Sequence, residues 1–350
     1  MNPYIPRHML ITGGAGFIGC HFVRHILRTD AQVRVVTLDA LTYAGSLDNL
    51  QDLPDPTRHT FVHGDICDRA LVERLLHEYA IDTIVHFAAE SHVDRSITDP
   101  AAFIQTNVVG TFTLLEVARV IWLQERGWDA GSCRFHHVST DEVYGTLGPA
   151  DPPFCETTPY TPNSPYAASK AASDHLVRAY YCTYGLPTTT SNCSNNYGPF
   201  QNREKFIPTI ICACLGGKPI PVYGNGSNMR DWLYVEDHCS GIDTIIRRGR
   251  VGEVYNIGGC NDRRNLDIVH SICTIMGELC GEAVETYTRL IRFVPDRLGH
   301  DWRYAINITK IQQELGWSPQ ETFETGIYKT VEWYQQRYEA DQHGQLKKLF

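Results

Sequence analysis

The first half of the chain alternates two kinds of apolar pattern. The runs "HMLIT" (8–12), "RVVTLD" (34–39), "TFVHGD" (60–65), "DTIVHFAA" (82–89) and "RFHHVST" (134–140) are short and nearly continuous, and they read as buried strands. Between most of them, segments such as "GCHFVRHILR" and "DRALVERLLHEYA" repeat apolar residues at helical spacing. The link from 39 to 60 is more irregular. A long helix is predicted from about 165 to 184, with a further strand in "LPTTTSNCSN". This alternation predicts an α/β fold with a Rossmann-type doubly wound parallel sheet.

After Tyr197 the pattern breaks. "NYGPFQNREKFIP", "GGKPIPVYGNGSNMRDW" and "DRLGHD" are rich in Gly, Pro and polar residues. Loops of this kind on a rigid scaffold carry recognition. The division expected is a nucleotide-binding domain over 1–196 and a smaller C-terminal α/β substrate lobe over 197–350. Residues 232–259 are expected to return to the first domain, because "YVEDHCSGIDTIIRR" and "GEVYNIGG" fit one of its helices and strands.

Composition changes this picture little. The 350 residues are 43% hydrophobic and 20% charged, enough for a substantial core. A formal charge of −9 argues against nucleic acid as a partner, since a phosphate-backbone binder needs a basic surface. No window holds 18 uninterrupted apolar residues and no signal-peptide pattern opens the chain, so no membrane partner is expected. The 12 cysteines form no C-x-x-C pair, and no zinc-finger histidine spacing accompanies them. Reduced, mostly buried thiols, no metal and a cytoplasmic location are the expectations.

The chemistry begins at "MLITGGAGFIGCHF". Gly14-x-Gly16-x-x-Gly19, or Gly13-x-x-Gly16-x-x-Gly19, follows a predicted strand and opens a predicted helix. Glycines there let the backbone approach a pyrophosphate at a helix N-terminus. Asp39 ends the second strand, 20 residues beyond Gly19. A carboxylate at that place binds the adenosine ribose hydroxyls and repels a 2′-phosphate, so NAD is expected rather than NADP. Asp65 ends the third strand, within reach of the adenine. Tyr166 and Lys170 lie four apart, on one helix face, after the Ser139–Thr140 pair. A nearby ammonium and a positive nicotinamide ring favour phenolate. Tyr166 is thus expected to take a proton from a substrate hydroxyl while hydride leaves for NAD, with Lys170 holding the nicotinamide ribose.

"STDEVYG" (139–145) then sets two adjacent carboxylates, Asp141 and Glu142, at a strand end. Taken with "TGGAGFIG", "LTYAG", "GDICD", "HFAAESHVDRSI", "SPYAASKAASDHLVRA", "NCSNNYGP", "RDWLYVEDH", "YNIGG" and "ETFETGIYKTVEWY", it resembles the dTDP-glucose 4,6-dehydratases of the extended short-chain dehydrogenase/reductase superfamily. The likeness runs from about 8 to 334. It implies oxidation at carbon 4 of the glucose unit by NAD, loss of water across carbons 5 and 6, and return of hydride to carbon 6. It implies Glu142 as the base at carbon 5, Asp141 as the acid at the carbon-6 hydroxyl, and Thr140 on the carbon-4 oxygen beside Tyr166.

The resemblance also implies two binding sets. The cofactor set comprises Gly13, Gly16, Phe17, Ile18, Gly19, Asp39, Leu41, Thr42, Gly45, Asp65, Ile66, Phe87, Ala88, Ala89, Ser91, Thr106, Tyr166, Lys170 and Asn196. The nucleotide-sugar set adds Asn195, Lys205, Phe206, Pro221, Val222, Tyr223, Arg230, Asn265, Asp296, Arg297 and His300 to Ser91 and the catalytic residues, with Arg230 and Arg297 on the diphosphate. A homodimer is implied through a four-helix bundle of the helix beginning near Ala101 and the Tyr/Lys helix. Leu298 and Trp302 depart from the usual proline and arginine, and "FQNREK" also differs. These changes leave thymine and uracil both open as the base. The rival functions are a UDP-glucose 4,6-dehydratase, an epimerase or decarboxylase of sugar nucleotides, and a non-catalytic NAD-binding regulator. The paired carboxylates speak against the epimerase and decarboxylase, and the full catalytic set against the regulator.

Overall fold

The computed structural model describes residues 3–296 and 301–342. Its main sheet has seven strands: β1 (His8–Thr12), β2 (Arg34–Asp39), β3 (His59–His63), β4 (Thr83–His86), β5 (Arg134–Thr140), β6 (Thr188–Cys193) and, much later in the chain, Val254–Ile257. All pair in parallel, with β1 between β4 and β2. The full order places Val254–Ile257 at one edge, then β6, β5, β4, β1, β2 and β3. The first three strands therefore wind one way from β1 and the later strands the other. The carboxyl ends of β1 and β4 flank that reversal, where an open α/β sheet binds its ligand.

Helices cover both faces because the central strands are apolar on both sides. On one face, Phe22, Val23 and Ile26 of Phe17–Thr29 pack with Ile242, Ile245 and Ile246 of Val235–Arg248. On the other, Leu75, Leu114, Trp122, Val177 and Tyr180 form a second core from three helices, Arg69–Glu78, Pro100–Glu125 and Pro165–Tyr184. Ser164 caps the last of these by accepting the Ala167 N–H, Pro165 opens it, and Gly185 closes it in the left-handed region.

A smaller unit follows β6. The short strand β7 (Asn195–Tyr197) runs parallel to Met229–Tyr234, which also pairs with Asp262–Arg264 and Arg303–Tyr304. Ile220–Tyr223 and Ile291–Val294 form a separate parallel pair. Helices Phe206–Leu215, Asn265–Cys280 and Phe323–Gln342 pack around them on a third core. Helix Val235–Arg248 and strand Val254–Ile257, although later in sequence, belong spatially to the main sheet.

Helix Pro100–Glu125 is long and apolar enough to cross a membrane by length and composition, and half of its most apolar window is buried in the protein. Ile104, Val109 and Phe112 remain exposed on it, as do Tyr181 and Tyr184 on Pro165–Tyr184. All 12 cysteines are free; six are buried and three are exposed.

Candidate active site

A cavity of about 330 Å3 opens at the carboxyl ends of the main-sheet strands. Gly13, Gly16, Phe17, Ile18 and Gly19 line it at one end. Gly13 has φ +71°, and a Cβ there would sit 2.6 Å from the Ala88 backbone nitrogen. At Gly19 a Cβ would meet the Gly13 carbonyl at 2.2 Å. Both positions demand glycine, which brings the loop between β1 and its helix close to whatever fills the cleft. Asp39 accepts the Ala15 N–H on Oδ2 (2.9 Å) and the Leu41 N–H on Oδ1 (2.8 Å) while still lining the cleft. Burial pushes its pKa up, and those two N–H groups oppose the shift. Thr42, Gly45, Asp65, Ile66, Phe87, Ala88, Ala89, Ser91, Thr106, Asn195 and Asn196 complete the wall. Leu41 does not line it; its backbone, at φ +50°, serves Asp39 instead. A fixed acceptor at the end of β2 and a wall with no room for Cβ atoms fit a dinucleotide.

Further in, Thr140, Glu142, Tyr166 and Lys170 line the same cleft. They come from two elements, the end of β5 with the turn Asp141–Tyr144, and helix Pro165–Tyr184. Thr140 caps the turn, its Oγ1 accepting the Glu142 N–H at 3.3 Å. It also lies beside the Tyr166 phenol and partly opposes the upward push of burial on it. Lys170 Nζ donates to the Val138 carbonyl at 2.8 Å. Asp141 does not line the cleft but lies just behind it, 2% exposed, with its Oδ2 unpartnered. Burial holds its carboxyl protonated well above the usual range, Glu142 and Asp231 add to this, and Arg230 opposes it.

In the protein alone, the surroundings of the tyrosine oppose phenolate. Burial pushes the Tyr166 phenol up, and the Glu142 carboxylate pushes it further. The Lys170 ammonium does not offset this in the protein alone, and burial lowers its own pKa. Sequence spacing put the two residues on one helix face but carried no information on their burial.

Behind these groups lies a polar layer. Asp174, one turn after Lys170, accepts the Ser139 and Tyr160 hydroxyls on Oδ2, each at 2.9 Å. Its Oδ1 lies 3.1 Å from His137 Nε2, out of line for a hydrogen bond. Burial raises Asp174 to about 6. His137, fully buried, is held neutral by the same effect.

Residues 10–330 match the family model described as GDP-mannose 4,6 dehydratase. A dTDP-glucose 4,6-dehydratase of Salmonella typhimurium is 55% identical over 93% of this chain and 92% of its own. The chain belongs to the dTDP-glucose 4,6-dehydratase family. A member from Xanthomonas campestris is 56% identical over 93% of this chain and 92% of its own. The Bacillus anthracis member, solved in complex with NAD, superposes with TM-score 0.83 at 44% identity, covering 95% of this chain and 97% of that one. A Thermotoga maritima UDP-glucose 4-epimerase with UDP-glucose shares the fold (TM-score 0.82, 95% and 99% covered) at only 27% identity.

The positions expected to bind the nucleotide sugar divide. Lys205 lines the cleft, its Nζ donating to the Ser91 carbonyl at 3.0 Å. Phe206, Pro221, Val222, Tyr223, Arg230, Asn265 and Asp296 do not line it. Val222 is a core side chain, fully buried, so only its backbone can meet a ligand. Phe206 stacks on Trp232. Asn265, Tyr223 and Asp296 gather around the loop 224–228: Asn265 donates its N–H to Asn228, Tyr223 accepts the Gly226 N–H, and Asp296 abuts Gly224. Arg230 is buried over the Tyr304 ring, its Nη atoms donating to the carbonyls of Met229, Asp301 and Trp302. Arg297, His300 and Leu298 lie outside the described residues. The cleft also uses Glu90, Cys193, Ser194, Gln201, Asn202 and Glu204, which were not anticipated. The polar stretch "NCSNNYGPFQNREK" was the available signal for most of them.

Two predictions follow from these environments. Asp39→Ala should weaken NAD retention roughly ten- to a hundredfold and narrow the preference over NADP, as loss of hydrogen bonds to a charged group implies; cofactor content and dissociation constants measure both. Asp174 has a folded pKa near 6 against an ordinary 3.8, so its proton stabilises the fold fully below 3.8 and that contribution is lost as pH rises through 6. Denaturation of the wild type and Asp174→Asn at pH 7 and pH 4.5 should show the wild type gaining relative stability at the lower pH.

Proposed function

We propose that this chain dehydrates dTDP-glucose to dTDP-4-keto-6-deoxyglucose as an NAD-dependent hydro-lyase. The observation that carries the reading is the end of β5, where Thr140, a buried Asp141 and the cleft-lining Glu142 meet Tyr166 beside the dinucleotide wall. Bound NAD supplies a hydride acceptor for carbon 4 and a donor for carbon 6, and its oxidised ring is the positive charge that Tyr166 lacks in the protein alone. The first domain, with Val235–Arg248 and Val254–Ile257, holds the cofactor, and the later segments hold the nucleotide sugar. Asp39, the glycine loop, Asp65 and Asn196 bind the dinucleotide, and Lys170 orients its nicotinamide ribose.

Tyr166 takes the proton of the carbon-4 hydroxyl, whose oxygen Thr140 also holds. The ketone so formed acidifies carbon 5, from which Glu142 takes the proton. Asp141, kept protonated by burial, gives its proton to the departing carbon-6 hydroxyl. Arg230 has an electrostatic interaction with both carboxylates and steadies the Asp141 anion left behind. Its spare charge, with Arg297, serves the diphosphate. Lys205 and the residues around 221–228, 265 and 296–300 receive the nucleotide. The thymidine preference rests on the relatives' activity.

The exposed row Ile104, Val109 and Phe112, beside Tyr181 and Tyr184, supports a homodimer built on these two helices. Free thiols throughout support a cytoplasmic location.

Glu142→Gln should still oxidise carbon 4, so bound NADH and a 4-keto-glucose accumulate while solvent deuterium stays out of carbon 5. Asp141→Asn should exchange the carbon-5 proton yet lose water slowly, by ~10²–10⁴-fold. Near-normal turnover in both variants, followed by mass spectrometry, contradicts the assignment. Phe112→Glu should convert a dimer into a monomer by light scattering at micromolar concentration; a monomeric wild type contradicts the interface.

A further inference from the structure

Dehydration by these roles, taken as the premise, leaves two groups out of balance. Tyr166 takes a proton from the carbon-4 oxygen, which ends as a ketone and never takes it back. Glu142 takes the carbon-5 proton and returns it to carbon 5 as hydride reaches carbon 6. Asp141 gives its proton to the carbon-6 hydroxyl, the C–O bond breaks, and that proton departs in water. Carbon 4 is oxidised and carbon 6 reduced, so hydride and cofactor balance. Each cycle therefore adds one proton to Tyr166 and removes one from Asp141. The next cycle needs the opposite state of both.

Bulk water is poorly placed to restore Asp141. Asp141 is 2% exposed and off the cleft wall, whereas Tyr166, 9% exposed, lines the cleft. Among the described residues, the one hydrogen bond to the Asp141 carboxylate comes from Thr140, whose Oγ1 faces Oδ1 at 3.5 Å. The same hydroxyl lies beside the Tyr166 phenol and acts on it, and the Glu142 N–H holds that hydroxyl in place. A hydroxyl carries one proton and two lone pairs, so it can accept from one neighbour while donating to the other.

We propose that Thr140 relays one proton per turnover from Tyr166 to Asp141 once product has left. The Tyr166 O–H bond and the original Thr140 O–H bond break, new O–H bonds form on Thr140 and Asp141, and no further reactant is needed. The 3.5 Å separation is at the long limit of a hydrogen bond, as is common in sites without substrate, and shortens for transfer. Burial of Asp141 favours its protonated form; burial raises the Tyr166 phenol too, so transfer also depends on the positive charge that oxidised NAD, once bound, would set beside Tyr166.

The test compares single-turnover and steady-state rates by rapid quench. Thr140→Val removes the relay and weakens the hold on the carbon-4 oxygen, so both rates fall. The relay predicts that its steady-state rate falls a further ~10-fold or more below its own single-turnover rate, within the range a placed proton-transfer group supplies. It also predicts that added formate or imidazole buffer restores that second loss. Thr140→Ser should show neither the burst nor the buffer dependence. A Thr140→Val enzyme whose two rates agree, without response to buffer, overturns the relay. If that variant forms no product at all, the wild type decides in weak buffer with a pH indicator: internal transfer gives no transient proton release or uptake, and a transient overturns the proposal. Failure of the dehydratase reading itself looks different, since even the wild type would then form no product lighter by one water.

Discussion

Burying the Asp141 carboxyl next to a second carboxylate is the constraint on which the site turns. An ionised carboxylate out of water costs several kcal/mol unless paired, so burial favours the protonated form of this one. Asp231, also fully buried, adds negative potential, and Arg230 limits the effect without forming a hydrogen bond to it. Two chemically similar residues, adjacent in sequence, thereby acquire different environments, one behind the wall and one on it. The cause is the position of β5 inside the sheet, between β4 and β6, and the tight turn that Thr140 caps at its end.

The smaller unit completes that environment. Arg230 and Asp231 both come from Met229–Tyr234, whose neighbour β7 continues directly from β6 of the main sheet. Tyr144, in the turn carrying the carboxylates, donates to Asn256 on the returning strand and packs with Phe154 and against the core residues Tyr304 and Ala305. The two carboxylates thus sit where the two parts of the chain meet.

Much of the fold was legible because burial on both faces leaves a local mark. The bounds of β1, β2, β5 and helix Pro165–Tyr184 match their apolar runs. The third and fourth strands end earlier than their runs, at His63 and His86, because Gly64, Asp65, Phe87, Ala88 and Ala89 leave the ladder to line the cleft. Other features have no local signature. The Asp174 layer joins residues from 137 to 174 through tertiary contact. Arg230 reads as a loop cation but is buried on backbone carbonyls, and Val222 reads as a pocket residue but fills the core. The raised phenol of Tyr166 depends on how deeply the fold encloses it, which spacing cannot express.

The central claim is that one of the two adjacent carboxyls is neutral at rest. Infrared difference spectra of the wild type against Asp141→Asn at pH 7 test it directly. A protonated-carboxyl stretch present in the wild type and lost in the variant is the predicted result. Loss of carboxylate bands alone, with no protonated stretch, would show Asp141 ionised and contradict the account.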